Sequence, residues 1–426
     1  MEENTEEDKT KKYILLQNNY TVAYDNENCY VNNVIIKNKG EKEGEKTPTK
    51  EDIEKQANDL KIQQLYNTFL KKHFKNIVVL TGAGSSMDSG GKSMFGLWKE
   101  CREKIKSIYK SIHCNIKLKE IARNKDIEAF ISYITLKEKT EDEGGNTSSL
   151  KEKREELEKK IRELCTLSLQ KGNSPHIDFL NKITARKNND SRVQIFTTNY
   201  DTLFEQAANE AGFVIIDGFS FTQPREFSGR WFDLDIVNRE KTRLKQEESF
   251  ISKVFHLYKL HGSLTWKKEN NGKIIQENEP VNPLMIYPSS EKYESSYEQP
   301  YFEMMSRFQQ ALRKEETLLI VIGFGFGDKH IRNVVLEAVN QNPSFQLLII
   351  NYNREGRIYK TDSLKDFFEI TDLKNELKVR RNVNIVFDTF KNFTDNYPEN
   401  KTYYNPENKT YYNPENKTYY NSNETI

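Results

Sequence analysis

The spacing of apolar and polar positions predicts where the folded core of this chain begins. Thr49 and Asp52 form a helix-capping pair, and apolar residues recur after them at helical spacing as far as Leu70. Residues 76–80 then form a compact apolar run that leads directly into the sequence TGAGSS. Such a run is typical of a buried parallel strand that ends in a turn. We therefore expect the main fold to begin at about residue 70.

Three further apolar runs follow the same pattern and predict more strands. Residues 193–196 lead into TTNYD, residues 318–322 lead into GFGFGD, and residues 346–350 lead into NYN. Strands that each end in a polar or glycine-rich turn are typical of an open α/β sheet whose ligand crevice lies at the carboxyl ends of the strands. The expected fold class is therefore α/β, with a Rossmann-like parallel sheet.

The same patterns predict how the chain divides. Residues 1–48 form an N-terminal extension, and residues 49–355 form the core, with a helical insertion at about 95–190. Residues 356–396 form a C-terminal element. The last part, residues 397–426, repeats NPENKTYY with an eight-residue period, which is too short to build a core. We expect this tail to be disordered.

The charge balance narrows the classes of partner. Lys and Arg total 65 against 64 Asp and Glu, so the formal net charge of +1 argues against direct nucleic-acid binding.

The N-terminus is acidic and lacks the basic-then-apolar order of a secretory signal. No apolar run approaches the roughly 20 residues that span a bilayer. We therefore expect a cytoplasmic protein that does not enter a membrane.

The cysteines bear on metal binding. Cys29, Cys101, Cys114 and Cys165 are scattered, and no two of them form a CxxC pair. A zinc ribbon requires paired thiolates, and a disulfide framework requires an oxidising compartment. The sequence therefore predicts reduced thiols, no zinc ribbon and no metal site.

Small residues directly after the first strand form the first candidate site. In Gly82-Ala83-Gly84-Ser85, the small side chains would let backbone N–H groups approach a diphosphate, and the next helix would contribute its positive end. The third glycine of the GxGxxG pattern is missing. A tight turn between strand and helix without a ligand is therefore the alternative.

Two further motifs contain polar side chains suited to a nucleotide. The Asn199 amide can both donate and accept hydrogen bonds, and Asp201 can accept one from a carboxamide. An Asx turn that caps the following helix is the alternative for this segment. In LHGS, His261 is an imidazole beside a glycine, and histidine is the side chain that titrates near neutral pH. A structural histidine is the alternative there.

Taken together, GAGSS, TTNYDTL and LHGS resemble the nicotinamide-dinucleotide site of the sirtuin family, over about residues 60–355. The resemblance implies a pyrophosphate site, a nicotinamide and ribose pocket with a catalytic histidine, and an adenine-ribose site. The pyrophosphate site would consist of Gly82, Ala83, Gly84 and Ser85. The nicotinamide and ribose pocket would contain Asn199, Asp201 and the catalytic His261. The adenine-ribose site would contain Gly323, Phe324, Gly325 and Asn351.

The chain also departs from sirtuin deacylases. It has no four-cysteine zinc module, and residues 92–95 read Lys-Ser-Met-Phe where a Pro-x-Phe-Arg segment is usual. The helical insertion and residues 286–312 resemble instead the sirtuin-like effectors of prokaryotic antiphage defence. That resemblance implies NAD⁺ as a hydrolysed substrate, assembly into a homo-oligomer, and in some systems a HerA-type ATPase as partner.

The leading hypothesis is therefore an NAD⁺ glycohydrolase (NADase) that works without a metal. Asn199 would orient water or the ribose hydroxyls, His261 would act as general base or polarise a ribose hydroxyl, and Asp201 would hold the nicotinamide carboxamide. One alternative is a protein deacylase or ADP-ribosyltransferase that uses the same pocket. Another is a non-catalytic, nucleotide-sensing scaffold subunit, for which neither Asn199 nor His261 would be necessary.

Overall fold

The computed structural model describes most of the chain between residues 11 and 399 and two short pieces of the tail. The described residues are 11–36, 48–112, 116–140, 147–170, 172, 174–187, 190–238, 250–280, 282–285, 299–352, 364, 367–368, 380–399, 412–413 and 418–419.

The strands are β1 (Lys12–Gln17), β2 (Tyr20–Tyr24), β3 (Cys29–Val31), β4 (Val34–Ile35), β5 (Asn76–Thr81), β6 (Gln194–Thr197), β7 (Val214–Ile216), β8 (Arg225–Glu226), β9 (Val254–Lys259), β10 (Trp266–Lys268), β11 (Ile274–Gln276), β12 (Thr317–Ile322), β13 (Gln346–Ile350), β14 (Val383–Val386), β15 (Tyr412–Asn413) and β16 (Thr418–Tyr419). The helices are α1 (Lys50–Lys61), α2 (Met94–Glu100), α3 (Arg102–Ser111), α4 (Ile116–Asn124), α5 (Ile127–Thr140), α6 (Thr147–Cys165), α7 (His176–Ile183), α8 (Leu203–Ala211), α9 (Tyr301–Arg313), α10 (Lys329–Gln341) and α11 (Phe390–Asn396). A π-helical segment, Ile62–Phe69, continues α1, and 3₁₀ segments cover Ala83–Ser89 and Gly229–Asp233.

One eleven-stranded sheet organises the fold, in the order β4-β3-β2-β1-β14-β13-β12-β5-β6-β9-β7. The strands from β14 to β7 are parallel. The strands that follow β5 in sequence, β6, β7 and β9, lie on one side of it in the sheet. The later strands β12, β13 and β14 lie on its other side. The carboxyl ends of β5 and β12 therefore border the topological switch point, where open α/β sheets bind ligands. The predicted α/β, Rossmann-like class is confirmed by this parallel sheet.

Both faces of the parallel strands are buried, which explains why these strands are continuous apolar runs. In β5, Val78 and Leu80 pack into one hydrophobic core, while Ile77 and Val79 pack into another. Helices α9 and α10 cover the first face, and α1, α7, α8 and α11 cover the second. The four strands predicted from apolar runs are β5, β6, β12 and β13.

The described part of the N-terminal extension joins this sheet. Strand β1 pairs antiparallel with β14, with Leu15 opposite Val386, and β2 to β4 continue outward as an antiparallel meander. Helix α1 begins with the predicted capping box, in which the Thr49 amide donates to Asp52 Oδ2 at 3.0 Å. The extension and the C-terminal element thus build the edge of the central sheet together.

The insertion between β5 and β6 is helical, as predicted, and has a hydrophobic core of its own. Helices α2 to α6 bury side chains such as Ile105, Phe130, Ile134 and Leu157 against one another. The charged helix α6 buries only a narrow stripe and leaves its Lys and Glu side chains mainly exposed. The insertion therefore folds around its own core and also borders the main sheet near the switch point.

The predicted disorder of the repeat tail falls mostly on residues outside the described part. Within the tail, β15 and β16 pair antiparallel, with Tyr412 opposite Tyr419. At its start, Tyr397 packs into the core beneath the sheet and is 8% exposed.

Candidate functional site

Two glycine turns meet at the switch point, one after β5 and one after β12. The Gly82 amide donates to the Ile322 carbonyl, and the Gly84 amide donates to the Gly323 carbonyl, both at 3.0 Å. A Cβ at Gly84 would lie 2.5 Å from Gly323 Cα, and Gly323 itself has a φ of +62°. Gly82 faces the same limit, because a Cβ there would lie 2.8 Å from the Gly323 carbonyl oxygen. Glycine is required at these three positions so that the turns can pack backbone against backbone.

Ser85 is fully buried beneath this turn. Its hydroxyl donates to the Gly82 carbonyl at 2.9 Å, and its exposed fraction is 0%. Gly82, Ala83 and Gly84 line the adjacent cavity, whereas Ser85 lies behind them. Its side chain is therefore placed to hold the turn, and the pyrophosphate contact implied for it stays a prediction.

Asn199 follows β6 and clamps the glycine turn from the other side. Its Nδ2 donates to the Gly82 carbonyl at 3.0 Å and lies within hydrogen-bonding distance of the Ser85 and Ser86 hydroxyls at 3.1 and 2.9 Å. Because a carbonyl oxygen only accepts hydrogen bonds, the amide nitrogen must face Gly82. Oδ1 then points away from the clamp and has no partner among the described residues. Asn199 also lines the cavity, so this oxygen can serve a ligand or water.

Asp201 connects three elements at the edge of the same cavity. Its Oδ2 accepts from the Ser86 hydroxyl at 2.7 Å, and its Oδ1 accepts from the Leu203 amide at 3.1 Å. The second contact is the Asx turn at the start of α8 that the sequence left as an alternative. The buried Lys259 ammonium donates to the Asp201 carbonyl and to Glu205. Asp201 therefore has a structural role whether or not it contacts a carboxamide.

His261 lies just after β9 and is 7% exposed. Its Nε2 lies 3.1 Å from Oδ2 of Asp328, the residue that caps α10. Burial raises the pKa of the Asp328 carboxyl, but the hydrogen bond and charge of His261 and the amides of Ile331 and His330 bring it below its ordinary value. Asp328 thus stays ionised and orients one ring nitrogen of the imidazole.

One cavity of about 830 Å³ brings these groups together. Asn199, Asp201 and His261 line it, as do both glycine turns, including Phe324 and Gly325. Asn351 lies beside the wall, where its amide donates to the Val386 carbonyl and its carbonyl accepts from the Asp388 amide. Its contact with a ribose stays a prediction, and so do the ligand contacts of the other predicted residues.

The cavity also contains residues that sequence reasoning missed. Glu128, near the start of α5, accepts a hydrogen bond from the Tyr200 hydroxyl at 3.0 Å through Oε1. Burial raises the pKa of Glu128 to about 7, although the charge of His261 and the Tyr200 hydrogen bond oppose this shift. Nothing in the charge-rich insertion distinguishes Glu128 along the sequence. Only the fold brings it to TTNYD.

Apolar side chains of the insertion form another wall. Leu97, Ile161, Leu164 and Cys165 line the cavity there. Burial raises the pKa of the Cys165 thiol to about 12, so this thiol is neutral near pH 7. This wall lowers the local polarity near the polar groups, which strengthens electrostatic interactions inside the cavity.

The described residues contain neither a helix suited to cross a membrane nor a cluster of side chains suited to hold a metal ion. No helix there combines the length and the apolar character needed to cross a bilayer. No group of three or more His, Cys, Asp or Glu side chains in the same part of the chain is arranged to hold a metal ion.

Comparisons with known proteins agree with part of the sequence analysis. Residues 193–370 match a family described as the SIR2-like domain. Among solved structures, the chain is similar to a mutant Sir2 homologue in complex with ADP-ribose, at 12% identity and a TM-score of 0.32, over 72% of this chain and 96% of that one. No curated protein matches the chain. The chain is therefore similar to SIR2-like domains across the region that carries Asn199, His261 and Gly323.

Proposed function

We propose that the protein is an NAD⁺ glycohydrolase, which cleaves NAD⁺ to nicotinamide and ADP-ribose. The observation that carries this proposal is that Asn199, His261 and the two glycine turns line one cavity at the switch point of the sheet. Four distant stretches of sequence thus supply the parts of one site.

The cavity suits a dinucleotide in size and position. Its volume of about 830 Å³ lies within the roughly 300–1,000 Å³ that is typical of small-molecule sites. Gly82, Gly84 and Gly325 have no side chains, which allows a pyrophosphate to approach the backbone closely. Asp126, Glu128 and Asp328 also line the cavity, and Glu128 interacts electrostatically with the other two and with His261. These carboxyl groups favour the cationic nicotinamide ring and the positive charge that develops on the ribose.

The reaction needs binding and positioning more than strong chemical activation. Nicotinamide leaves as a neutral amine when the bond from its nitrogen to ribose C1′ breaks, and the ribose becomes oxocarbenium-like. The enzyme must therefore hold the dinucleotide, stabilise that positive charge and place a water molecule. We assign to Asn199 Oδ1, which has no partner among the described residues, the hydrogen bond from this water or from a ribose hydroxyl. His261, oriented by Asp328, polarises a ribose hydroxyl or accepts a proton.

The biological setting is part of the proposal. The sequence resemblance to antiphage-defence effectors supports an enzyme that depletes cellular NAD⁺ once triggered, works in the cytoplasm, and forms a homo-oligomer with a HerA-type ATPase as a further partner. Mass measurement of the purified chain at several concentrations tests the oligomer. A strict monomer at all concentrations contradicts it.

The activity is tested by incubating the pure chain with NAD⁺, with and without an acylated peptide, and identifying the products by mass spectrometry. Nicotinamide and ADP-ribose without peptide support hydrolysis. A strict requirement for the peptide supports the deacylase alternative.

Two variants connect the activity to the cavity. We expect Asn199→Ala and His261→Ala to lower turnover by about 100-fold or more, the usual contribution of a positioned acid or base. His73→Ala is the matched control, because the His73 side chain is 52% exposed and contacts Asp190 outside the cavity. Turnover like that of the wild type in both cavity variants refutes the assigned roles, provided that thermal melting shows all variants folded.

A further inference from the structure

Helix α5 of the insertion places a carboxyl group in the cavity opposite the SIR2-like motifs. Glu128 lines the same cavity as Asn199 and His261. Its Oε1 accepts the hydrogen bond from Tyr200, which is itself 7% exposed and lies within TTNYD. The hydrogen bond fixes the carboxyl group against the motif.

The other carboxylates of the cavity around His261 are already committed to the fold. Asp126 caps α5 by accepting from the Ala129 amide at 2.9 Å. Asp328 caps α10 and pairs with His261. Asp201 uses both oxygens, on Ser86 and Leu203. Asp328 and Asp201 are each held in several contacts through both oxygens, so neither can take up a proton without breaking one of them.

Glu128 differs from Asp328 and Asp201 because its second oxygen is uncommitted, and from Asp126 because its hydrogen bond comes from the Tyr200 side chain and not from a helix-capping backbone amide. Among the described residues, Oε2 has no hydrogen-bond partner. Among the described residues, this carboxyl group interacts with the His261 ring, the Tyr200 hydroxyl, the Cys165 thiol, and the carboxylates of Asp126 and Asp328. Burial, supported by the two carboxylates, raises the pKa of Glu128 to about 7 against the effects of His261 and Tyr200. Both protonation states are therefore populated near neutral pH, as a general base requires.

We propose that Glu128 is a catalytic residue, supplied by the helical insertion, that accepts the proton of the attacking water. This inference rests on the proposed NAD⁺ hydrolysis and adds a group to that site. The insertion thus contributes to the reaction itself as well as to the wall of the cavity.

The water oxygen forms a bond to C1′ of the nicotinamide ribose, and the C1′–N bond breaks with its electron pair going to the ring nitrogen. Nicotinamide leaves neutral. One water proton passes to Glu128 Oε2, and the carboxyl group later releases it to solvent. The sum is NAD⁺ plus water giving nicotinamide, ADP-ribose and one proton.

Glu128→Gln is the decisive variant, because the amide oxygen of Gln can still accept the Tyr200 hydrogen bond while the group can no longer take up a proton. We expect kcat to fall by about 100-fold or more with little change in KM. Tyr200→Phe is the matched control, since it removes the hydrogen bond and keeps the carboxyl group. Its kcat should fall much less.

The pH profile separates a chemical role from a structural one. In the full wild-type chain, kcat should rise with pH and level off above about pH 7, because the carboxylate form is the base. Glu128→Gln should lose this rise, and Glu128→Asp, which keeps a carboxyl group, should retain it at a lower rate. The Asp variant keeps the test valid even if the Gln variant folds poorly.

The outcomes are distinct. Wild-type kcat and an unchanged pH profile in Glu128→Gln overturn the role of Glu128, while loss of turnover in the Asn199 and His261 variants would still support the proposed function. Equal losses in Glu128→Gln and Tyr200→Phe also overturn it, since they assign Glu128 a structural role. No cleavage of NAD⁺ by the wild-type chain overturns the proposed function itself.

Discussion

The amide nitrogen of Asn199 lies 3.0 Å from the carbonyl oxygen of Gly82, across a separation of 117 residues. This contact makes the turn after β6 and the glycine turn after β5 a single hydrogen-bonded unit. It also fixes the orientation of the Asn199 amide, because only the nitrogen can face a carbonyl. A change in the position of the glycine turn would therefore also change the position of Asn199 Oδ1.

Substitution of Gly84 should disturb this unit directly. We expect Gly84→Ala to lower the free energy of unfolding by about 1–3 kcal/mol, because its Cβ would lie 2.5 Å from Gly323 Cα. NAD⁺ binding should weaken as well, since the two turns must separate. Urea unfolding and calorimetric titration measure the two effects.

Gly325→Ala is the matched control for this prediction. It lies in the neighbouring turn, and an added Cβ would meet no atom of the described residues within 4 Å. Its stability should stay close to that of the wild type. Equal stability of Gly84→Ala and Gly325→Ala would show that the turns do not require the close packing.

Asp328→Asn should separate the capping role of Asp328 from its effect on His261. Asn caps helices about as well as Asp, so the stability of α10 should change little. The negative charge beside the imidazole is lost, and we expect turnover to fall by at least about 10-fold. Steady-state kinetics with thermal melting checks both parts, and unchanged turnover would contradict the orienting role.

The buried pair of Lys61 and Asp388 should contribute to stability only as a pair. Their charged atoms lie 2.8 Å apart, and the two side chains are 8% and 5% exposed. Lys61→Met leaves the buried Asp388 carboxylate without its positively charged partner. We expect this change to lower the free energy of unfolding by about 3–5 kcal/mol. The double variant Lys61→Met with Asp388→Leu should regain much of this loss in urea unfolding. A double variant as unstable as the sum of both single variants would contradict this explanation.

His176 should make the fold sensitive to acid. Both ring nitrogens are buried and have no hydrogen-bond partner in the described part of the chain, and burial lowers the pKa of the imidazole to about 4. The unfolded chain therefore binds a proton at a higher pH than the folded chain does. The neutral, buried His176 therefore contributes fully to the free energy of unfolding above about pH 6.5. This contribution is lost as the pH falls towards 4, and the free energy of unfolding then decreases by about 3 kcal/mol in total.

His176→Phe tests this pH dependence. Phe fits the aromatic surroundings formed by Phe204 and Phe390, and it cannot take up a proton. Its free energy of unfolding should fall less between pH 7 and pH 5 than that of the wild type. The same dependence on pH in both proteins would exclude His176 as the cause.

The sheet shows where sequence reasoning succeeds and where it fails. The runs that became β5, β6, β12 and β13 were predictable because a strand buried on both faces must be continuously apolar. Strand β14 was not, since it contains Asn384. Its buried amide accepts from Gln17 of β1 at 2.8 Å and donates to the Leu347 carbonyl of β13 at 3.1 Å, and partners this distant leave no local signal.

The sequence by itself determined the apolar strands, the polar turns that end them, and the identity of Asn199, Asp201 and His261 as candidates, because these are local patterns. The tertiary structure alone decided that these groups share a cavity, that Ser85 lies behind its wall, and that Glu128 of the insertion reaches Tyr200. The physical reason is that burial and hydrogen bonding between distant residues arise only when the sheet aligns the carboxyl ends of its strands at one edge.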